Sequence, residues 1–249
     1  ANFARPGAPL APINQGNQFG VFAFDGSGRL QVVWWNPTLG WLGPVALTSA
    51  NYAPASSQLA VGTRANGEVD VYAVGSDGAL KYMLFNGSVW SGPVSLTVGS
   101  FAPPGAPVTA ALDVHGFMNV MVVGNDGAVY TKWDATPLWS GPTALTATRA
   151  AVVGGQLTAA KFGNASLRAF FVDAHGTLQT LSNAGSGWSG VTAIATHISD
   201  PGTAIGAGPE TSTQFDVFVP SITVPSGLVE STTSGSGWSA PAGLPSGQD

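Results

Sequence analysis

Three tryptophans, Trp34, Trp35 and Trp133, fall outside the spacing that the other five tryptophans obey. A pyranose ring presents an apolar face of C–H groups that stacks on an aromatic plane, and its hydroxyls need donors and acceptors close by. The segments around these tryptophans offer both. Tyr82 and Phe85 occupy the matching segment of the second repeat, and Tyr130 precedes Trp133. Lys81, Lys132, Asp134, Asn36 and Asn86 lie within a few residues. The set reads as a candidate saccharide-stacking surface; the competing reading packs the same rings between β-sheets. A second aromatic set, Phe3, Tyr52 and Phe101, recurs in the loops joining successive repeats. Loops on a rigid scaffold often carry binding residues, although recurrence also suits a structural plug. Arg5, Arg149 and His197, in the same kind of loop, are expected to be exposed charges.

Other chemistries have less support. Cysteine is absent, which removes disulfide frameworks and thiolate metal sites. The three histidines have no metal-ligand spacing, and neither a Gly-x-Ser-x-Gly elbow nor an acidic calcium loop occurs. No metal or cofactor is expected. Glycoside cleavage needs two carboxylates converging on one centre, whereas most acids here recur with the repeat. Asp77 and Asp126 lie in turns, Asp70 and Asp216 beside second strands, and Asp25 and Asp173 open equivalent hairpins. The acids expected to break the pattern are Glu68, Asp113, Asp134, Asp200, Glu210 and Glu230. A glycan-cleaving enzyme is therefore the least favoured alternative, behind a protein-interaction or adhesion module.

The elements that must position these residues follow from the other five tryptophans. Trp41, Trp90, Trp139, Trp188 and Trp238 are spaced 49, 49, 49 and 50 residues apart. Three open the phrase Trp-x-Gly-Pro-x-x-Leu-Thr, and the last two open weaker copies: Val191 replaces the proline of the fourth, and the fifth reads Trp238-Ser239-Ala240-Pro241. A fixed period of this length signals a repeat architecture. The repeats run over approximately 1–48, 49–97, 98–146, 147–195 and 196–244, and the whole of 1–249 reads as a single domain.

Each repeat divides into four apolar segments of strand length. The second is apolar at consecutive positions, as in Val71-Tyr72-Ala73-Val74 and Val120-Met121-Val122-Val123, which suits a strand covered on both faces. A turn such as Ser76-Asp77-Gly78 or Asn125-Asp126-Gly127 follows, a strong hairpin signal. Four antiparallel strands per unit, repeated five times, predict an all-β five-bladed β-propeller. The recurring tryptophans are then expected to pack between blades. The fifth repeat carries extra residues over Pro220–Pro225, and the fourth has Asn183 and Ala184 where aromatics are expected. Blades four and five are accordingly expected to lack a binding site.

Only 8% of residues are charged, giving a net charge of −5 without any basic face. A nucleic-acid partner is excluded on that ground. No apolar run is long enough for a transmembrane helix, so membrane insertion is not expected. Ala1–Pro6 shows no leader pattern. The expected location is secreted or extracellular, with a leader absent from this sequence and a cytoplasmic location as the alternative.

The unit Gly75-Ser76-Asp77-Gly78-Ala79-Leu80 with Trp90-Ser91-Gly92, and its copy Gly124-Asn125-Asp126-Gly127-Ala128-Val129 with Trp139-Ser140-Gly141, resembles the repeats of bacterial propeller lectins of the PLL type. It is similar also to the tachylectin and tectonin types, whose tachylectin members share the five-blade count. The resemblance covers about 240 residues of the chain. It implies a metal-independent, non-catalytic lectin with shallow saccharide sites between or on blades. The implied partners are saccharides or cell-surface glycans, bound multivalently by a monomer or weak homo-oligomer. Candidate ligand-binding residues are Trp34, Trp35, Tyr52, Lys81, Tyr82, Phe101, Tyr130, Lys132, Trp133 and Asp134.

Overall fold

The structure is a computed structural model describing residues 3–16, 18–134, 138–211, 213–224, 227–234 and 237–244. Ala1, Asn2, Pro225 and the tail 245–249, all included in the expected domain, lie outside the described residues. Two compact units divide the chain, Ala1–Ala110 and Ala111–Asp249.

The first unit holds two sheets. One is β1 (Ala11–Gln15), β2 (Gln18–Phe24), β3 (Leu30–Asn36) and β4 (Gly40–Ala46); the other is β5 (Leu59–Thr63), β6 (Val69–Val74), β7 (Leu80–Phe85) and β8 (Trp90–Ser95). The second unit holds three. The third sheet is β9 (Val108–Leu112, which runs across the division), β10 (Met118–Val123), β11 (Val129–Asp134) and β12 (Trp139–Ala144). The fourth is β13 (Leu157–Phe162), β14 (Ser166–Val172), β15 (Leu178–Asn183) and β16 (Thr192–Ala195). The fifth is β17 (Gly206–Pro209), β18 (Phe215–Pro220), β19 (Leu228–Thr233) and β20 (Ala242–Gly243). Every sheet is an antiparallel meander in chain order. The all-β class and the four strands per repeat are as expected. β6 and β10 are buried at every position, as their unbroken apolar runs require.

The repeated phrases have separate mechanical roles. In the first three sheets the Leu-Thr pair after strand four grips the start of strand three. The Leu47, Leu96 and Leu145 amides donate to the Leu30, Leu80 and Val129 carbonyls. The Thr48, Thr97 and Thr146 hydroxyls each accept from those same residues' amides at 2.9 Å. The hairpin glycine then receives the following loop. Gly78 has φ 75°, and a Cβ there would come within 2.6 Å of the Ala102 carbonyl oxygen; Gly28 is tighter still, at 2.1 Å from the Ala53 oxygen. The loop reaches this contact through one left-handed residue in each of repeats two to five: Asn51, Ser100, Arg149 and His197, with φ between 52° and 62°. Left-handed backbone is unusual for such side chains, and no sequence pattern marks it.

The fourth strands diverge. Trp90 and Trp139 open β8 and β12, but Trp188 and Trp238 lie ahead of the short β16 and β20, each held by one bridge to the end of the preceding strand, at Asn183 and Thr233. These are the two repeats whose Trp-x-Gly-Pro phrase is degraded.

Candidate functional site

Each unit contains a cavity built at the same place in the repeat. In the second unit a cavity of about 620 Å³ is lined by Trp133, Asn119 and Thr131 of the third sheet, by the β9–β10 turn from Asp113 to Phe117, and by Asn183, Gly185, Gly187, Trp188 and Ser189 of the fourth. In the first unit a cavity of about 330 Å³ is lined by Trp34, Gly20, Phe22 and Val32, by Gln15 and Gln18, and by Phe85, Ser88 and Trp90 of the second sheet. Trp34 and Trp133 are each the fifth residue of a third strand. Trp34 stands opposite Gly20 of β2 and Trp133 opposite Asn119 of β10. The facing wall is in both cases the next repeat's tryptophan, Trp90 or Trp188.

The larger cavity has a hydrogen-bonded floor. Asp113 is 5% exposed, and its Oδ1 accepts from the His115 and Phe117 amides at 2.9 and 3.0 Å. Its Oδ2 accepts from Asn119 Nδ2 at 3.2 Å, and Asn119 Oδ1 accepts from the Thr131 hydroxyl at 3.4 Å. This carboxylate shapes a turn. Asp25 and Asp173 grip their own turns through the same pair of amides, so Asp113, expected to break the repeat, performs the same task in another hairpin.

The mouth is shaped by the β15 hairpin. Asn183 Oδ1 accepts from the Gly185 and Gly187 amides at 2.8 and 3.3 Å, which leaves its NH2 pointing away from the turn. A Cβ on Gly185 would come 2.9 Å from the His115 ring, so glycine there keeps His115 seated at the rim. Aromatic walls, an amide, an imidazole and indole N–H groups together suit a small hydroxylated molecule with one apolar face, and both volumes lie in the ordinary range for ligand pockets.

The structure separates the residues singled out in the sequence. Trp34 and Trp133 line cavities, as does Phe85, whose ring lies 5.1 Å from that of Trp90. Trp35 points to the opposite face of β3, where it pairs across the strands with Phe19 and Trp41 and is 38% exposed. Tyr130, Lys132 and Asp134 alternate with Trp133 and take the face away from its cavity. Tyr130 donates to Asp126 Oδ2 at 2.9 Å, which pushes its phenol up, and burial pushes the Lys132 amine down. Asp134 is buried.

In the second sheet, Lys81 pairs with Asp77 at 2.7 Å and sits over the Tyr52 ring. That contact holds the Asp77 carboxyl below its ordinary value. Tyr82 stacks on Tyr72 with Arg64 over its ring. Tyr52 is buried in the core beside Phe24, and burial together with Asp77 pushes its phenol up. Phe101 is half-buried. Sequence reasoning set aside Trp90 and Trp188 as scaffold and missed their second role as cavity walls. The signal for it was that each stands in the repeat after the one that holds Trp34 or Trp133.

No protein-family model matches the chain, and no curated protein matches it significantly. Solved structures do. The BP39L lectin from Burkholderia pseudomallei is 28% identical, with a TM-score of 0.89 over 96% of this chain and 70% of that one. A lectin from the fungus Aleuria aurantia, described as a six-bladed β-propeller with a novel fucose recognition mode, is 20% identical. It aligns with a TM-score of 0.68 over 98% of this chain and 82% of that one. A triple arginine-to-alanine mutant of AofleA from Arthrobotrys oligospora is 16% identical with a TM-score of 0.71, over 96% and 71%. The propeller-lectin fold is thus shared across low sequence identity.

Proposed function

We propose that this chain is a carbohydrate-binding lectin whose five sheets are the blades of one five-bladed β-propeller, close in kind to the PLL-type lectins. The observation that carries the reading is the pair of matched cavities, each walled by two tryptophans at equivalent repeat positions. A single catalytic centre would break that symmetry, while a repeated binding site reproduces it. The likeness to the Burkholderia lectin supports the same reading. In it, a saccharide stacks its apolar face on Trp34 or Trp133, opposite Trp90 or Trp188. Asn183 and His115 meet its hydroxyls in the larger site, and Gln15 and Gln18 do so in the smaller. Neither metal nor cofactor takes part, and several weak sites on one chain give avidity on a dense glycan surface. Fucosides are the first sugars to try, since the Aleuria lectin has been crystallised with one.

The test is a glycan array followed by calorimetry with methyl α-L-fucoside and other methyl glycosides, on the wild type and on Trp34→Ala and Trp133→Ala. Binding that falls in each single variant and vanishes in the double variant is expected. An array without hits at millimolar-sensitive protein concentrations overturns the reading.

A further inference from the structure

The chain contains two Asn-Gly pairs, Asn66-Gly67 and Asn86-Gly87. In such a pair the backbone nitrogen after the asparagine is poorly shielded, because glycine has no Cβ beside it. Attack of that nitrogen on the side-chain amide closes a five-membered succinimide. The fold presents the two pairs as a near-matched comparison. Asn66 lies between β5 and β6, Asn86 lies between β7 and β8, and both are exposed. Gly67 and Gly87 are both left-handed, with φ 87° and 91°, and a Cβ on either would meet nothing within 4 Å. Each asparagine Oδ1 accepts from the amide two residues on, that of Glu68 at 3.1 Å and that of Ser88 at 3.0 Å.

Two contacts separate them. The Gly67 amide, the nucleophile of the first pair, donates to the Arg64 carbonyl at 2.9 Å. The Gly87 amide donates to no acceptor among the described residues. An amide proton held by a carbonyl is harder to remove, and its peptide plane is tied to that partner. The second contact is at the electrophile. Asn86 Oδ1 accepts also from the Val89 amide at 3.0 Å, so two backbone donors converge on it, where Asn66 Oδ1 has one among the described residues. Attack at Cγ turns that oxygen into an oxyanion, and donors already in place stabilise it as it forms. Asn86 also stands between Phe85 and Ser88, which line the first unit's cavity together with Trp90.

We propose that Asn86 is a modification site of the folded chain: it deamidates through a succinimide with Gly87 and alters the wall of the first unit's cavity, while Asn66 is protected. Hydroxide takes the Gly87 amide proton, and the nitrogen bonds to Asn86 Cγ. The Cγ–Nδ2 bond breaks, and Nδ2 leaves as ammonia with a proton from water. Water then opens the imide. Cleavage at Cγ gives aspartate; cleavage at the backbone carbonyl gives isoaspartate, with one extra methylene in the main chain. The net change is amide and water to acid and ammonia. Either product puts a carboxylate between two wall residues, and isoaspartate also changes their spacing. The chemistry is independent of the lectin reading, whereas its effect on sugar affinity rests on it.

The full chain is incubated at mildly alkaline pH, folded and in urea, and digested with trypsin at intervals. Cleavage after Arg64 and Lys81 puts the two asparagines on different peptides, and mass spectrometry follows the amide-to-acid change in each. In the folded chain Asn86 is expected to convert about tenfold faster than Asn66, the scale of one net hydrogen bond on the barrier, at a rate that rises with pH. In urea the two rates should come together, because the reacting dipeptide is the same. Equal rates in the folded chain, or a difference that persists in urea, would overturn the proposal. In a Trp133→Ala background, where the first unit's cavity reports alone, methyl α-L-fucoside affinity should fall in step with conversion at Asn86, and Asn86→Asp should reproduce the loss. Affinity that stays constant as Asn86 converts would overturn its effect on the cavity. Conversion confined to Asn86 in a chain that binds no glycoside at the outset supports the modification and counts against the lectin reading alone.

Discussion

The edge of one ring of Phe22 and Trp90 meets the face of the other, with centroids 5.6 Å apart and planes 75° from parallel. Phe22 is a buried core residue, and Trp90 packs against that core while also lining the first unit's cavity. One side chain thus joins two sheets and walls a site. Trp34 also touches this core at its edge and stands across the cavity. Replacing Trp90 and replacing Trp34 should therefore give different results. Trp90→Ala removes an aromatic–core contact, with an expected stability loss of about 3–5 kcal/mol and loss of sugar binding at that site. Trp34→Ala should reduce binding with a smaller loss of stability. Urea unfolding and calorimetry on the same preparations distinguish the two, and equal stability losses would show that Trp34 is scaffold as well.

Adjacent tryptophans on one strand provide the second test. Trp34 and Trp35 point to opposite faces of β3, and only Trp34 lines the cavity. Trp34→Ala is expected to weaken methyl glycoside binding to the first unit by about tenfold, the scale of one lost aromatic stack with its buried area. Trp35→Ala should leave affinity unchanged. A glycoside that responds to Trp35→Ala would move the site to the exposed row formed by Phe19, Trp35 and Trp41.

This pair also marks where the sequence stops being informative. The period of the repeat tryptophans, the unbroken apolar second strands and the Asp-Gly turns are local signals, and the four-stranded sheets follow from them. Which face of β3 meets the neighbouring sheet depends on register and packing, so Trp34 and Trp35 are indistinguishable by pattern. The same holds for Trp133 against Lys132 and Asp134. The left-handed Asn51, Ser100, Arg149 and His197 were hidden because the residue types differ while the backbone repeats.

The turn glycines should show two levels of cost. Gly78→Ala forces a left-handed alanine and drives its Cβ to 2.6 Å from the Ala102 carbonyl oxygen, where backbone has to move. A loss of more than about 2 kcal/mol is expected, above the penalty of roughly 1–2 kcal/mol for left-handed backbone alone. Gly67→Ala, at φ 87° with open space around it, should cost only that smaller amount. Urea unfolding measures both, and equal costs would show that the loop contact at Gly78 is not tight.

The buried ion pair of the second sheet makes a sharper prediction. Asp70 is fully buried and accepts from Arg64 Nε at 2.6 Å and from the Tyr72 hydroxyl at 2.7 Å. Arg64→Ala strands this carboxylate and should cost about 3–5 kcal/mol, whereas removing both charges costs less because no buried charge is left unanswered. Thermal unfolding of Arg64→Ala, Asp70→Asn and the double variant forms the cycle. A double variant as unstable as the sum of the singles would show that the pair is not coupled.

Acid should weaken the protein through its turn carboxylates, and the sign follows from the direction of their shifts. Burial raises the Asp25 pKa, but hydrogen bonds from the Ser27 hydroxyl, the Arg29 and Ser27 amides and the Arg29 side chain outweigh it, holding the carboxyl well below its ordinary 3.8. Asp173 is lowered in the same way, with Gln179 and the Thr177 and His175 amides overcoming burial. A carboxylate depressed in the folded state contributes stability in full above the unfolded pKa and loses it as pH falls through and below that value. Stability should therefore be flat with respect to these groups near neutrality and decline from about pH 4 downward, the ordinary aspartate range. Asp25→Asn should be less stable than the wild type at pH 7 and converge toward it as the pH is lowered. Urea midpoints across the acid range test this, and a difference that stays constant with pH would show that the Asp25 charge contributes nothing to the turn.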